Sequence, residues 1–254
     1  MKKKLLAVAS LVLIGIFALS LSENDQAASN KTLRVGTEGT YAPFSYRNDK
    51  DKLVGYDVDV ARAVAKEMGY KVKFVEAPWD SMLAAFDAGK SDVVFNQASI
   101  TPERKEKYAF STPYTVSHAA LIVNKDNKDI KDFSDLKGKK AAQSLTSNYA
   151  TMAEDDGATI VSVDGFSKAA ELVNSGRADA TLNDDVVYYD YVKQQNDDSL
   201  KIVATSKDET KMAAMVQKDD KALLKKINKA MKKLKDNGTL SKLSEKYFDK
   251  DISK

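Results

Sequence analysis

The sequence predicts an α/β fold organised as two similar lobes, and three observations carry that expectation. From Thr32 onward, short β-rich runs alternate with amphipathic helical stretches. One helix–turn–strand unit occurs twice, 87 residues apart. The 254 residues, 43% hydrophobic and 30% charged, have ordinary globular composition and leave room for one large domain or two modest ones.

Leu33-Arg34-Val35-Gly36 reads as a strand. Val60, Ala61, Val64, Ala65 and Met68 fall on one face of a helix over 59–68, which Gly69 closes. Lys71 to Glu76 alternates as a half-buried strand does, residues 81–88 form a helix stopped by Gly89, and a strand over 92–95 follows. Leu223, Leu224, Ile227, Ala230, Met231 and Leu234 mark a later helix with Gly238 behind it, and its lysines read as a solvated face rather than a polyanion patch. Leu240, Leu243 and Tyr247 share one side of a last short helix. The repeated unit covers Met82 to Gln97 and Ala169 to Asp184. In each copy a helix ends at a glycine (Gly89, Gly176), then come a basic residue, an aspartate (Asp92, Asp179) and a short strand ending at an asparagine (Asn96, Asn183). Polar groups therefore collect past a strand's C-terminal end, where open α/β sheets bind ligands.

Charge and motif content remove several function classes. Lys plus Arg is 40 and Asp plus Glu is 37; with Lys2, Lys3 and Lys4 set aside in an N-terminal segment, the body is neutral. A neutral body without a basic stripe argues against nucleic acid as a partner. The absence of cysteine excludes disulfides, thiolate metal sites and a cysteine nucleophile. The lone His118 lies beside an apolar stretch, and there is no G-x-S-x-G elbow, phosphate loop or metal-spaced cluster; Gly36 and Gly39 make no dinucleotide fingerprint. No catalytic residue, cofactor or metal is expected. The basic head, the apolar run Leu5 to Leu19 and the small-residue exit Ser20-Leu21-Ser22 read as a secretory signal over 1–22, followed by a polar tether over 23–31. The alternative is a membrane anchor that stays, although the apolar run is shorter than the roughly 20 residues a spanning helix needs.

A binding reading fares better. Tyr41 and Phe44 stand in a Pro-containing loop after the first strand, and Trp79 follows Pro78 at a strand-to-helix junction. They make either a rigid ligand wall or a satellite hydrophobic cluster. Asn96, Gln97 and Ser99 follow a strand, with Arg104 a few residues on. A guanidinium there can hold a carboxylate by two parallel charge-assisted bonds, which lysine cannot reproduce; the alternative is an ordinary surface charge. Ser144-Leu145-Thr146-Ser147-Asn148 opens a helix whose free N–H groups either favour an anion or are simply capped. Asp184 is a natural acceptor for an ammonium. A zwitterion fits: carboxylate to Arg104 and the helix N-terminus, ammonium to Asp184.

The segment Gly55-Tyr56-Asp57-Val58-Asp59-Val60, continuing through Ala61, Val64, Ala65 and Met68, and the segment Phe110-Ser111-Thr112-Pro113-Tyr114 are similar to signatures of the solute receptors of bacterial polar amino-acid ABC importers. Residues 32–248 resemble that family throughout. The resemblance implies a two-lobed periplasmic-binding-protein fold, each lobe a mixed sheet flanked by helices, joined by two crossover strands near 118–120 and 210–213. The first lobe is expected over 32–118 plus 212–254 and the second over 119–211, closing on a ligand by a hinge motion. It further implies that Tyr41 and Trp79 form the aromatic wall. Gln97, Ser99 and Arg104 would grip the α-carboxylate and α-ammonium with Asn96 beside them, Thr146 and Ser147 would add donors, and Asp184 would take the ammonium. Glu38 falls where related receptors for basic amino acids have an acidic residue facing the ligand's side chain.

The stretch FNQASITPERKEKY resembles cystine-binding members, whose ligand has a second ammonium for Glu38; lysine, arginine or histidine suit the same carboxylate. The family implies an exported, monomeric receptor in the periplasm or at the outer face of the cytoplasmic membrane, with an ABC permease as partner. The absence of cysteine counts against the lipid anchor common among Gram-positive relatives. Two rivals stand beside this reading: a dehydratase-like enzyme using Glu38 or Asp184 as acid or base, and a surface adhesin.

Overall fold

The computed structural model describes residues 31–195 and 198–253. The expected leader over 1–22, and all but Lys31 of the tether, lie outside the described residues. Two five-stranded mixed sheets organise the chain, as the alternation of elements predicts. In the first, β5 (Lys71–Glu76), β1 (Thr32–Thr37) and β6 (Val93–Val94) run parallel, and β13 (Met215–Gln217) pairs antiparallel with both β6 and β7 (Tyr108–Phe110). In the second, β10 (Thr159–Ser162), β9 (Lys140–Gln143) and β11 (Ala180–Asp184) run parallel, and β8 (Thr115–Asn124) pairs antiparallel with both β11 and β12 (Leu200–Met212). A small ribbon of β2 (Thr40–Tyr41), β3 (Ser45–Arg47) and β4 (Leu53–Val54) follows β1.

Both faces of the central strand β6 are covered, which is why Val93 and Val94 are both fully buried. Val93 packs with Val60, Val64, Ile227 and Met231, from α1 (Tyr56–Glu67) and α7 (Lys221–Asp236). Its neighbour Val94 points the other way, onto Met82, Leu83 and Phe86 of α2 (Trp79–Asp87). In the second sheet Leu121 and Leu182 pack on Tyr149 and Ala153 of α4 (Asn148–Asp155). Ile122 and Ala142 share a cluster with Ala169, Ala170 and Val173 of α5 (Phe166–Asn174). A short α3 (Pro102–Lys107) precedes β7, α6 (Asp185–Gln195) follows β11, and α8 (Thr239–Phe248) closes on α1. β8 leads into the second sheet and β12 leads back, paired along their length from Thr115–Met212 to Asn124–Leu200. Among the described residues no helix is long and apolar enough to cross a membrane.

The repeated unit has a physical counterpart in both sheets. Gly89 and Gly176 both take a left-handed φ, 70° and 69°, to end α2 and α5. Asp92 then donates its N–H to Arg34 O, at the start of β1, and its carboxylate accepts Arg34 N at 2.8 Å. Asp179 donates to Lys140 O at the start of β9 and accepts Lys140 N at 2.7 Å. The same two-way clasp fastens each αβ unit to its neighbouring parallel strand.

α1 begins at Tyr56, three residues before the helical periodicity does. The chain at Pro43 and Phe44 supplies the reason: their carbonyls accept Tyr56 N and Asp57 N at 3.0 and 2.9 Å, satisfying two orphan N–H groups. That approach demands glycine at 55. Its φ is 131°, and a Cβ there would lie 2.2 Å from Phe44 O.

Candidate functional site

A cavity opens between the two sheets, lined by residues from both. Of the residues expected at a site, Glu38, Tyr41, Trp79, Asn96, Gln97, Ser147 and Asp184 line it. Ser99, Arg104 and Thr146 do not. Arg104 and Thr146 line an adjacent groove that shares Ser147 and Asn148 with the cavity, and Ser99 Oγ reaches Asn148 Oδ1 at 3.1 Å. Ser147 caps α4, its Oγ accepting Ala150 N at 3.0 Å. Gln143, Asn148, Tyr149, Phe166 and Asn183 also line the cavity without having been singled out as site residues from sequence. Asn183 was legible as the counterpart of Asn96 in the repeat; Tyr149 carried no local signal, because packing of α4 against the sheet brings it in.

Each wall is held by a long-range bond. Glu38 follows β1 and is 8% exposed. Asn96, past the end of β6, accepts Glu38 N at 2.8 Å and donates Nδ2 to Glu38 Oε2 at 2.6 Å, aiming the carboxylate. Burial pushes the Glu38 pKa up to about 7 against the Asn96 hydrogen bond. Asp184, at the end of β11, is 1% exposed. Its Oδ1 accepts Tyr149 OH at 2.7 Å, and Tyr41 OH, which donates to Asn183 Oδ1 at 2.7 Å, lies 3.4 Å from Oδ2. Burial again dominates and raises the Asp184 pKa to about 7.

The Gly55–Val60 segment builds both sides of the first wall. Its glycine admits the carbonyls that tie down the Tyr41 loop, and Asp57 holds Gln97. The Asp57 carboxylate accepts Gln97 N at 2.8 Å and Gln97 Nε2 at 2.6 Å. Those bonds offset the strain of Gln97, a non-glycine residue at φ 49°. They also leave Gln97 Oε1 buried without a protein partner at the cavity wall, as is Trp79 Nε1.

Arg104 donates to Ser99 O at 3.2 Å, Thr146 O at 3.3 Å and Asn148 Oδ1 at 3.4 Å, with its guanidinium 5.0 Å above the Trp79 ring. Burial lowers its pKa to about 10, so it stays charged at neutral pH. Among the described residues, the cavity lining holds the two carboxylates Glu38 and Asp184 and no Lys, Arg or His. Glu38 and Asp184 have no ion-pair partner among the described residues. Nor does any group of three or more His, Asp or Glu among them stand close enough to hold a metal. Buried carboxylates are stable as ions only with a partner, and a ligand with cationic groups supplies one.

The model of the family described as bacterial extracellular solute-binding proteins, family 3, matches residues 33–250. A probable amino-acid ABC transporter-binding protein of Haemophilus influenzae is 42% identical over 256 residues, covering 99% of each chain. The L-cystine solute receptor of Neisseria gonorrhoeae, solved unliganded and open, is 46% identical with a TM-score of 0.57, over 89% of this chain and 97% of that one. An ancestral arginine-binding protein bound to arginine is 41% identical with a TM-score of 0.80, over 87% of this chain and 99% of that one. The lower identity goes with the higher structural score: the chain superposes better on the arginine-bound protein than on the unliganded open receptor.

Proposed function

The chain belongs to the bacterial extracellular solute-binding proteins of family 3, and on that premise we propose that it is an exported receptor that binds L-cystine between its lobes and presents it to an ABC importer. The observation that carries the reading is the pair of buried, cation-free carboxylates, Glu38 and Asp184, in one cavity. Cystine presents two ammonium groups, one for each. Gln97 Oε1 is a further acceptor for an ammonium. A ligand carboxylate is assigned to the end of the cavity where Ser147 and Asn148 border the Arg104 groove. The gonococcal cystine receptor, at 46% identity, supports the same choice.

The lobes are taken as 32–118 with 212–254 and 119–211, hinged where β8 and β12 run side by side, and the receptor as a monomer that binds without catalysis. A basic amino acid is the second reading, favoured by the arginine-bound relative and by Glu38, which suits a guanidinium equally well.

A thermal-shift screen of the protein, unfolded and refolded to strip carried-over ligand, separates these. Ligand at 100 times its Kd should add about 2.7 kcal/mol of stability. The expected result is a shift with L-cystine that reductant abolishes. A shift with arginine, lysine or histidine instead reassigns Glu38 to one cationic side chain. No shift with any amino acid overturns the receptor reading in favour of an adhesin or enzyme.

A further inference from the structure

We infer that Asp80 is a latch that holds the lobes closed and sets how long the ligand stays, without touching the ligand. Asp80 sits in the first turn of α2, beside Trp79, but does not line the cavity. It does not cap its own helix, whose N-cap is Pro78 with no side-chain bond. Its carboxylate instead crosses to the other lobe and takes three donors from one turn. Leu145 N reaches Oδ2 at 3.1 Å, while Thr146 N and Thr146 Oγ1 reach Oδ1 at 2.9 and 2.5 Å. Arg104, also from the first lobe, holds the same residue at its carbonyl, at 3.3 Å. Thr146 is thus gripped at its N–H and hydroxyl by an acid and at its C=O by a base, both from across the cleft.

Those contacts exist only when the lobes meet. Leu145 N and Thr146 N precede α4 and have no bond from their own lobe among the described residues, so on opening they turn to water. Bonds from backbone N–H to a carboxylate are charge-assisted and stronger than neutral ones. They favour the closed state for whatever ligand lies behind them. Such a latch slows dissociation and leaves association nearly unchanged.

The test uses the full protein with L-cystine as probe, and it rests on the proposed ligand only for its kinetic arm. Asp80→Ala is expected to raise the dissociation rate about 10- to 100-fold and to change the association rate less than about threefold. Thr146→Val removes one of the three donors. Its effect should be several-fold in the wild-type background and absent in the Asp80→Ala background, since the two groups serve one contact. Effects that multiply independently, or a loss carried by the association rate, overturn the latch. The melting temperature of ligand-free Asp80→Ala checks that α2 still folds. Should wild-type protein fail to bind L-cystine, the ligand reading falls and small-angle scattering decides the latch. Asp80→Ala should then enlarge the ligand-free radius of gyration, and an unchanged radius overturns it.

Discussion

Affinity for L-cystine is expected to fall about 30-fold for each of Glu38 and Asp184 that must ionise, as the pH drops from 8 to 5.5. Burial raises both groups to about 7 in the ligand-free protein. At pH 5.5 they are almost wholly protonated, and an ammonium must displace a proton to bind. The bound state holds fewer protons than the free one, so affinity rises with pH up to about 7 and then levels off. Folding stability has the opposite slope. Asp57, likewise raised to about 7 by burial, joins the other two. Carboxylates with a folded pKa above the unfolded one stabilise the fold at low pH, and that contribution is lost between about pH 4 and 7. Ligand-free melting should therefore decline across that window while the ligand-induced increment grows. Titration calorimetry at pH 5.5, 7 and 8, in two buffers of different protonation enthalpy, measures both affinity and proton release. Asp184→Asn should remove one proton from the release and flatten the profile by one group. A Kd that does not change with pH would mean that neither carboxylate meets a cation.

On the proposed placement of the ligand carboxylate beside the groove that Arg104 lines, Arg104→Ala is expected to cost about 2–5 kcal/mol of binding. The same change strips a donor from Ser99 O, Thr146 O and Asn148 Oδ1 and the cation from the Trp79 ring. Arg104→Lys should recover less than half of the loss. A single ammonium cannot span those acceptors or lay a flat face on the indole. Calorimetric Kd values for the two variants check this, and a change below tenfold for Arg104→Ala places the carboxylate elsewhere in the cavity.

Much of this molecule can be read along its chain, because its devices are local. The clasp at Asp92 and Asp179 needs only a helix, a left-handed glycine and an aspartate three residues later, so the repeat of that spacing along the chain points to two like sheets. Asn96, Gln97 and Asp184 were legible for a related reason: each sits at the end of a parallel strand or just past it, where the topology of an open sheet makes a crevice, whereas Glu38 was indicated only by the family resemblance. The start of α1 was not legible, since its first N–H groups are satisfied by carbonyls at 43 and 44, outside the helix's own pattern.

What the tertiary structure alone decided are the pairings across distance. Asp57 reaches Gln97 over 40 positions, Asp80 reaches Thr146 over 66, and Tyr41 reaches Asn183 over 142. A carboxylate looks the same in sequence whether it faces water, a backbone N–H or a ligand. Only the meeting of the two lobes gave Asp80 its donors and turned Arg104 toward the peptide at Thr146. The sequence by itself determined the αβ units and the strand ends that carry polar groups, because backbone periodicity and glycine geometry act over a few residues. Which of those groups meet was decided by the packing of one lobe on the other, because desolvation and charge pairing depend on neighbours that the chain order does not specify.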